Sequence, residues 1–178
     1  IGNDNNGSIF ISLLEQSGMS SEYLFIDAKR PTTTKTRVIA HTQQLVRIDS
    51  EISDEISQKA QDAIVKNIEK NINNIDAILL QDYNKGVLTK DLIHRVIEIA
   101  NQHNKIVTVD PKFKNFFEYK NVTLMKPNRK ETEDALGITI ENEEDLKNAG
   151  LELIERLKSK YVLITLSEEG AAIFDSEN

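Results

Sequence analysis

The stretch Val122-Thr-Leu-Met-Lys-Pro-Asn-Arg-Lys-Glu-Thr-Glu-Asp-Ala-Leu-Gly137 decides how this chain is read. It opens as a short β-branched run, Val122 to Leu124, which predicts a buried strand. Pro127 has no N–H to donate, so it ends any ladder there. Asn128 follows, and an amphipathic helix is predicted from Arg129 to Leu136 with Gly137 as its stop. Asn128 and Glu131 have the spacing of a capping box. A strand-to-helix turn also presents free N–H groups and partial positive charge. The pair therefore has two readings. It is a cap alone, or a cap whose turn also faces an anion such as a nucleotide phosphate with its metal.

Working outward, strands and helices alternate. Ala77-Ile-Leu-Leu-Gln81 is a predicted buried strand, and Ile106-Val-Thr-Val-Asp110 and Tyr161-Val-Leu-Ile-Thr165 are further predicted strands, with another starting at Ala171. Ile56, Ala60, Ile64, Ile68 and Ile72 recur every four residues and predict a one-sided helix. Thr89 caps a helix with Leu92, Ile93, Val96, Ile97 and Ala100 inward. Another helix runs from about Asn142 to Lys158, with Leu146, Leu153, Ile154 and Leu157 inward. This order predicts an α/β fold with a parallel central sheet and crossover helices. Ligands of such sheets bind outside the carboxyl ends of the strands. Here those ends carry Asp82, Asp110, Asn128 and Thr165.

The amino-terminal third has a different texture. Ile9, Phe10, Leu13 and Leu14 predict a helix ending near Gly18, and Tyr23 to Ile26 a short strand. Arg30 to Ala40 and Leu45 to Asp49, joined by His41-Thr-Gln-Gln44, predict a β-hairpin outside the main core. Lys35, Arg37 and Ile39 share one of its faces. Arg47 and Asp49 are expected to pair across it.

Composition bounds the function classes. The 178 residues suffice for one domain with a core, and 39% hydrophobic with 29% charged residues describes a globular protein. Zero cysteines exclude disulfides and thiolate metal sites, and fit a cytoplasmic location. A net charge of −7 disfavours nucleic acid as a partner, and no apolar run is long enough for a membrane span. His41, His94 and His103 are scattered and suggest no metal cluster. Neither GxGxxG nor GxxxxGK[ST] occurs. The chain opens without Met, so its true beginning is expected to lie before Ile1.

Five short motifs in order resemble the ribokinase-like (PfkB-type) carbohydrate kinases. Ile1-Gly-Asn-Asp-Asn-Asn-Gly7 is similar to that family's G-x-D-x-x-G turn. The hairpin resembles its β-lid, through Thr34-Lys-Thr-Arg37 and Gln43-Gln-Leu-Val-Arg-Ile-Asp49. Asp82-Tyr-Asn-Lys-Gly86 resembles a D-Y-x-K-G loop, Val109-Asp-Pro-Lys112 a D-P-K strand end, and Lys126-Pro-Asn-Arg-Lys-Glu131 the P-N-x-x-E motif. The hairpin and loop are closest to the branch acting on D-glycero-D-manno-heptose 7-phosphate. One motif departs: Thr165-Leu-Ser-Glu-Glu-Gly170 has Ser167 at the first glycine of T-x-G-x-x-G.

The resemblance implies a three-layer αβα sandwich, incomplete at both ends, with the β-lid at about residues 30–50. It implies ATP and Mg²⁺ as cofactors and a sugar phosphate as substrate. Asn128, Glu131, Lys126, Thr165, Ser167 and Gly170 are the implied cofactor-binding residues, with Glu131 reaching the metal through water. Lys35, Arg37, Asp82, Lys85, Asp110 and Lys112 are the implied substrate-binding residues. For Lys85 and Lys112 the alternative is ordinary solvated lysine. For Lys35 and Arg37 it is a lid-to-lid contact in a homodimer. For Asp82 and Asp110 it is capping of their own loops. The catalytic aspartate of a G-A-G-D motif is expected beyond Asn178, and a Gly-Gly substrate motif before Ile1, so the chain alone is expected to be inactive.

Overall fold

A computed structural model describes residues 1–175. They divide into two compact units, one spanning Ile1–Asn67 and the other beginning at Ile68.

In the first unit Asp4 caps helix α1 (Asn5–Gln16) by accepting from the Gly7 N–H at 2.7 Å. Its other carboxylate oxygen accepts from the Thr32 N–H at 2.7 Å, and Thr32 Oγ1 accepts from the Gly2 N–H at 2.9 Å. A Cβ on Gly2 would lie 2.5 Å from the Arg30 carbonyl, so this knot admits only glycine. The predicted α1 forms, but Ile9, Phe10 and Leu13 are exposed. The strand predicted at Tyr23–Ile26 does not form, and Gly2 instead bridges to Asp27.

The hairpin is β1 (Thr34–Ala40) paired antiparallel with β2 (Gln43–Ser50), in a sheet of its own. His41 turns it at φ 53°, and the register shifts at Val38/Ile39. Every β2 residue and all of β1 but Thr34 are exposed, as a hairpin outside the core requires. Arg47 and Asp49 do pair, at 3.0 Å, but along β2 rather than across the hairpin, because residues two apart on a strand share a face.

Helix α2 (Gln58–Asn71) carries the chain onward. The second unit is built on a five-stranded sheet of β3 (Ala77–Gln81), β4 (Ile106–Asp110), β5 (Leu124–Met125), β6 (Tyr161–Thr165) and β7 (Ala171–Asp175), in that order. Register aligns Leu80, Val109, Met125 and Val162 on one face, and all four are buried. Helix α3 (Lys90–Gln102) packs on β4, and α5 (Glu143–Leu157) packs on β6 and β7. Leu92, Ile93, Val96, Ile97 and Ala100 of α3 are all buried, as their spacing predicts.

Three expectations are corrected. The sheet is not wholly parallel: β7 returns antiparallel to β6, because the five residues 166–170 are too few for a crossover. β5 starts two residues later than predicted and ends one residue later, at Leu124–Met125, so it is one residue shorter. β3 is an edge strand of this sheet rather than a buried one, and Leu79 on its far face is 64% exposed.

Gly150 lies inside α5, where glycine costs about 1 kcal/mol relative to alanine. The reason is contact. A Cβ there would stand 2.3 Å from the Phe174 ring on β7. Gly150→Ala is therefore expected to lose about 1–3 kcal/mol by overpacking, against about 1 kcal/mol of regained helix propensity. A net fall in calorimetric stability is the expected result. A net gain would mean that the ring swings aside.

Candidate active site

Two prolines shape the carboxyl edge of the sheet. Pro111 stops β4 after Asp110, and Pro127 stops β5. Helix α4 (Arg129–Leu136) then starts at once, capped by Asn128, and ends at Gly137 with φ 70°. Both halves of the capping box are made. Asn128 Oδ1 accepts from the Glu131 N–H at 2.8 Å, and Glu131 Oε2 accepts from the Asn128 N–H at 3.0 Å. Asn128 bridges to Thr165 in parallel, with the Thr165 N–H donating to the Pro127 carbonyl at 3.0 Å. The helix start is thus stitched to the end of β6.

A charged cluster sits on these ends. Gln81 and Asp110 are register partners, and Gln81 Nε2 donates to Asp110 Oδ2 at 2.8 Å. The Lys126 ammonium lies 3.1 Å from the same oxygen. Lys112 pairs with Glu131 Oε1. The Glu131 carboxylate raises the Lys112 ammonium above the ordinary lysine range, against the burial that pulls it down. The Glu131 side chain is only 14% exposed, so both its oxygens and its orientation are well defined.

The Leu166–Gly170 turn closes the edge. Ser167 adopts φ 55° and Gly170 adopts φ 95°, ψ −130°. The serine therefore takes the left-handed backbone that glycine adopts more cheaply, at a cost of about 1–2 kcal/mol. Arg129 pairs with Glu169, tying the first turn of α4 to this turn.

The structure thus brings Asp110, Lys112, Lys126, Asn128, Glu131, Thr165, Ser167 and Gly170 to one edge of one sheet. Asp82 begins the loop after β3 but is buried, with both oxygens engaged. Oδ1 accepts from the Asn84 N–H at 2.7 Å and Oδ2 from the Tyr119 hydroxyl at 2.7 Å. Lys85 is half-buried in the same loop, between Asn84 and Gly86, both of positive φ. Lys35 and Arg37 lie on the hairpin of the first unit. Lys35 is held by Asp49 at 3.0 Å and Glu51 at 3.3 Å, which raise its pKa. Arg37 stands opposite Arg47 and makes no ion pair among the described residues.

Sequence reading missed Gln81, Tyr119 and the Lys112–Glu131 pair. Gln81 was findable, as the last residue of a strand whose neighbour ends in Asp110. Tyr119 follows an unpredicted 3₁₀ segment, Phe113–Glu118, and nothing local marks its partner.

A mainly parallel sheet with polar strand ends and a capped helix start, together with a separate antiparallel hairpin, defines a ribokinase-fold protein. Ribokinase from Giardia lamblia has the same fold, with a TM-score of 0.77 at 15% identity over 99% of this chain and 58% of that one. Arabidopsis thaliana ribokinase complexed with ribose and ATP gives 0.73 at 17% identity, over 100% and 57%. The sequence matches the pfkB family carbohydrate kinase model over residues 1–178, and the chain belongs to that family. It is 42% identical to the bifunctional protein HldE of Helicobacter hepaticus, across 99% of this chain and 36% of that protein. The chain thus spans little more than a third of the length of the curated relatives it matches.

Proposed function

We propose that these residues form the central part of a kinase domain that transfers the γ-phosphate of ATP to D-glycero-β-D-manno-heptose 7-phosphate. The product is the 1,7-bisphosphate, a precursor in ADP-heptose and lipopolysaccharide core synthesis. The observation that carries this reading is the doubly closed capping box. It fixes Asn128 and Glu131 at a helix start, beside Lys112, Lys126 and the Ser167 turn. Similarity to the HldE proteins supports the heptose branch.

Catalysis of phosphoryl transfer is mainly positioning and charge stabilisation. Asn128 and the free N–H groups of α4 suit phosphate oxygens. Among the described residues no three acidic or histidine side chains gather to hold a metal directly. A lone carboxylate fits Mg²⁺, which keeps much of its water shell. Glu131 would hold such waters, and the bound ion would neutralise phosphate charge. On this reading Lys126 and Asp110 line the nucleotide and sugar sides of the edge. Val38, Val46 and Ile48 form an exposed apolar hairpin face, which supports a homodimer through the lid. No helix among the described residues is long and apolar enough to cross a membrane, in keeping with a cytoplasmic enzyme.

One observation favours a different acceptor within the family. Lys35 is already engaged by two carboxylates, which leaves the hairpin less free positive charge for a substrate phosphate than the heptose reading implies. The full-length protein, assayed with ATP and Mg²⁺, is expected to turn over heptose 7-phosphate far faster than ribose. Equal or greater turnover of ribose would reject the heptose assignment.

A further inference from the structure

Glu131 has no oxygen to spare. Oε2 is bound to the Asn128 N–H, a contact built into the helix start. Oε1 is bound to Lys112, nineteen residues earlier in the chain. The two partners differ in kind. The N–H is fixed by the backbone of α4, whereas the ammonium sits on a flexible four-carbon stem and is partly exposed. Nor does Asp110 depend on Lys112, since it already has Lys126 and Gln81.

We propose that Lys112 is a positioning residue, rather than a phosphate ligand, whose ammonium occupies the Oε1 side of Glu131 and yields that side to hydrated Mg²⁺. This rests on the reading of Glu131 as the metal-water residue. An ammonium and a hydrated cation want the same lone pairs, so they compete there. With Lys112 in place, the carboxylate is held at two points and cannot rotate about its last bond. Without it, one hydrogen bond remains. Removal should therefore have two opposite consequences. Competition is lost, so less Mg²⁺ is needed. Orientation is lost, so turnover falls.

The test is a double-mutant cycle in the full-length protein, with Lys112→Met, Glu131→Gln and the pair. Lys112→Met is expected to lower kcat about 10-fold with KM for ATP and for sugar phosphate held within about 3-fold. The half-saturating Mg²⁺ concentration should fall about 5-fold. Lys112→Arg, which keeps the charge, should recover most of the turnover. Added to Glu131→Gln, Lys112→Met should do nothing further. In EDTA each single variant should lower the melting temperature by about 2–4 °C, and the pair by no more than one of them. Lys112→Gln repeats the cycle should the methionine variant fold poorly.

A large rise in KM for ATP or for the sugar, with the Mg²⁺ requirement unmoved, would make Lys112 a phosphate ligand and overturn the inference. So would multiplicative losses in the double variant. Full activity in Glu131→Gln would instead remove the metal-water reading beneath it. An impaired Glu131→Gln that Lys112→Met impairs further would remove the positioning role alone.

Discussion

Glu131→Gln is expected to lower kcat by about 10²–10³-fold while moving the melting temperature by no more than about 2–4 °C. The substitution is chosen because glutamine also completes a capping box. Its amide oxygen can keep the bond that Glu131 Oε2 accepts from the Asn128 N–H at 3.0 Å. What it removes is charge: the ion pair with Lys112, the attraction to the α4 dipole, and the ability to order waters around a metal. The dipole contribution at a helix start is worth about 0.3–1 kcal/mol, and the structural loss is that contribution together with the ion pair. Asn128→Ala is the counterpart, because it breaks the cap itself, at about 1 kcal/mol. Calorimetry with steady-state kinetics on both variants separates the roles. A Glu131→Gln protein that loses stability but keeps its turnover would leave Glu131 with the capping role only.

The cap was legible because it is local. Asn128, Glu131 and Gly137 act within ten residues, and their chemistry dictates one geometry. The limits of β3, β4 and β6 were legible for a similar reason, as short apolar runs bounded by polar or proline stops. The inward row of α3 followed from its period. What periodicity cannot reveal is whether a face is covered. Ile9, Phe10 and Leu13 share a helix face as predicted yet remain exposed, and Leu79 alternates correctly on a strand that proves to be an edge. Side-chain pairing is harder still. Lys112 and Glu131 meet across nineteen residues, Asp82 and Tyr119 across thirty-seven. Such meetings depend on how β4 sits beside α4 and the 3₁₀ segment, which no window of sequence contains. The strand ends could be located in the sequence, but not the division of their carboxylates between substrate-facing and structural roles.

Tyr119→Phe is expected to cost about 1–3 kcal/mol or somewhat more, with the KM for sugar unchanged within about 2-fold. Tyr119 is fully buried, and its hydroxyl donates to Asp82 Oδ2 at 2.7 Å. Burial, reinforced by the Asp82 charge, pushes the phenol well above the usual tyrosine range, so it remains a donor at every pH where the protein is used. Asp82 is itself buried, and its second oxygen is held by the Asn84 N–H. Deleting the hydroxyl leaves a buried carboxylate oxygen unpartnered, and acceptors that carry charge lie at the upper end of the cost. The ring itself stays, so no cavity forms. Tyr119→Ala would add one and should cost about 3–5 kcal/mol. Denaturant unfolding of the phenylalanine variant reads the loss directly, and substrate titration at a temperature where it is folded reads the second half. If Asp82 served the sugar instead, freeing its oxygen would change KM and leave stability nearly intact. With both oxygens already engaged inside the fold, the expected outcome is the reverse: Asp82 holds the Asp82–Gly86 loop to the 3₁₀ segment, and substrate contacts at this edge fall to Asp110 and Lys126.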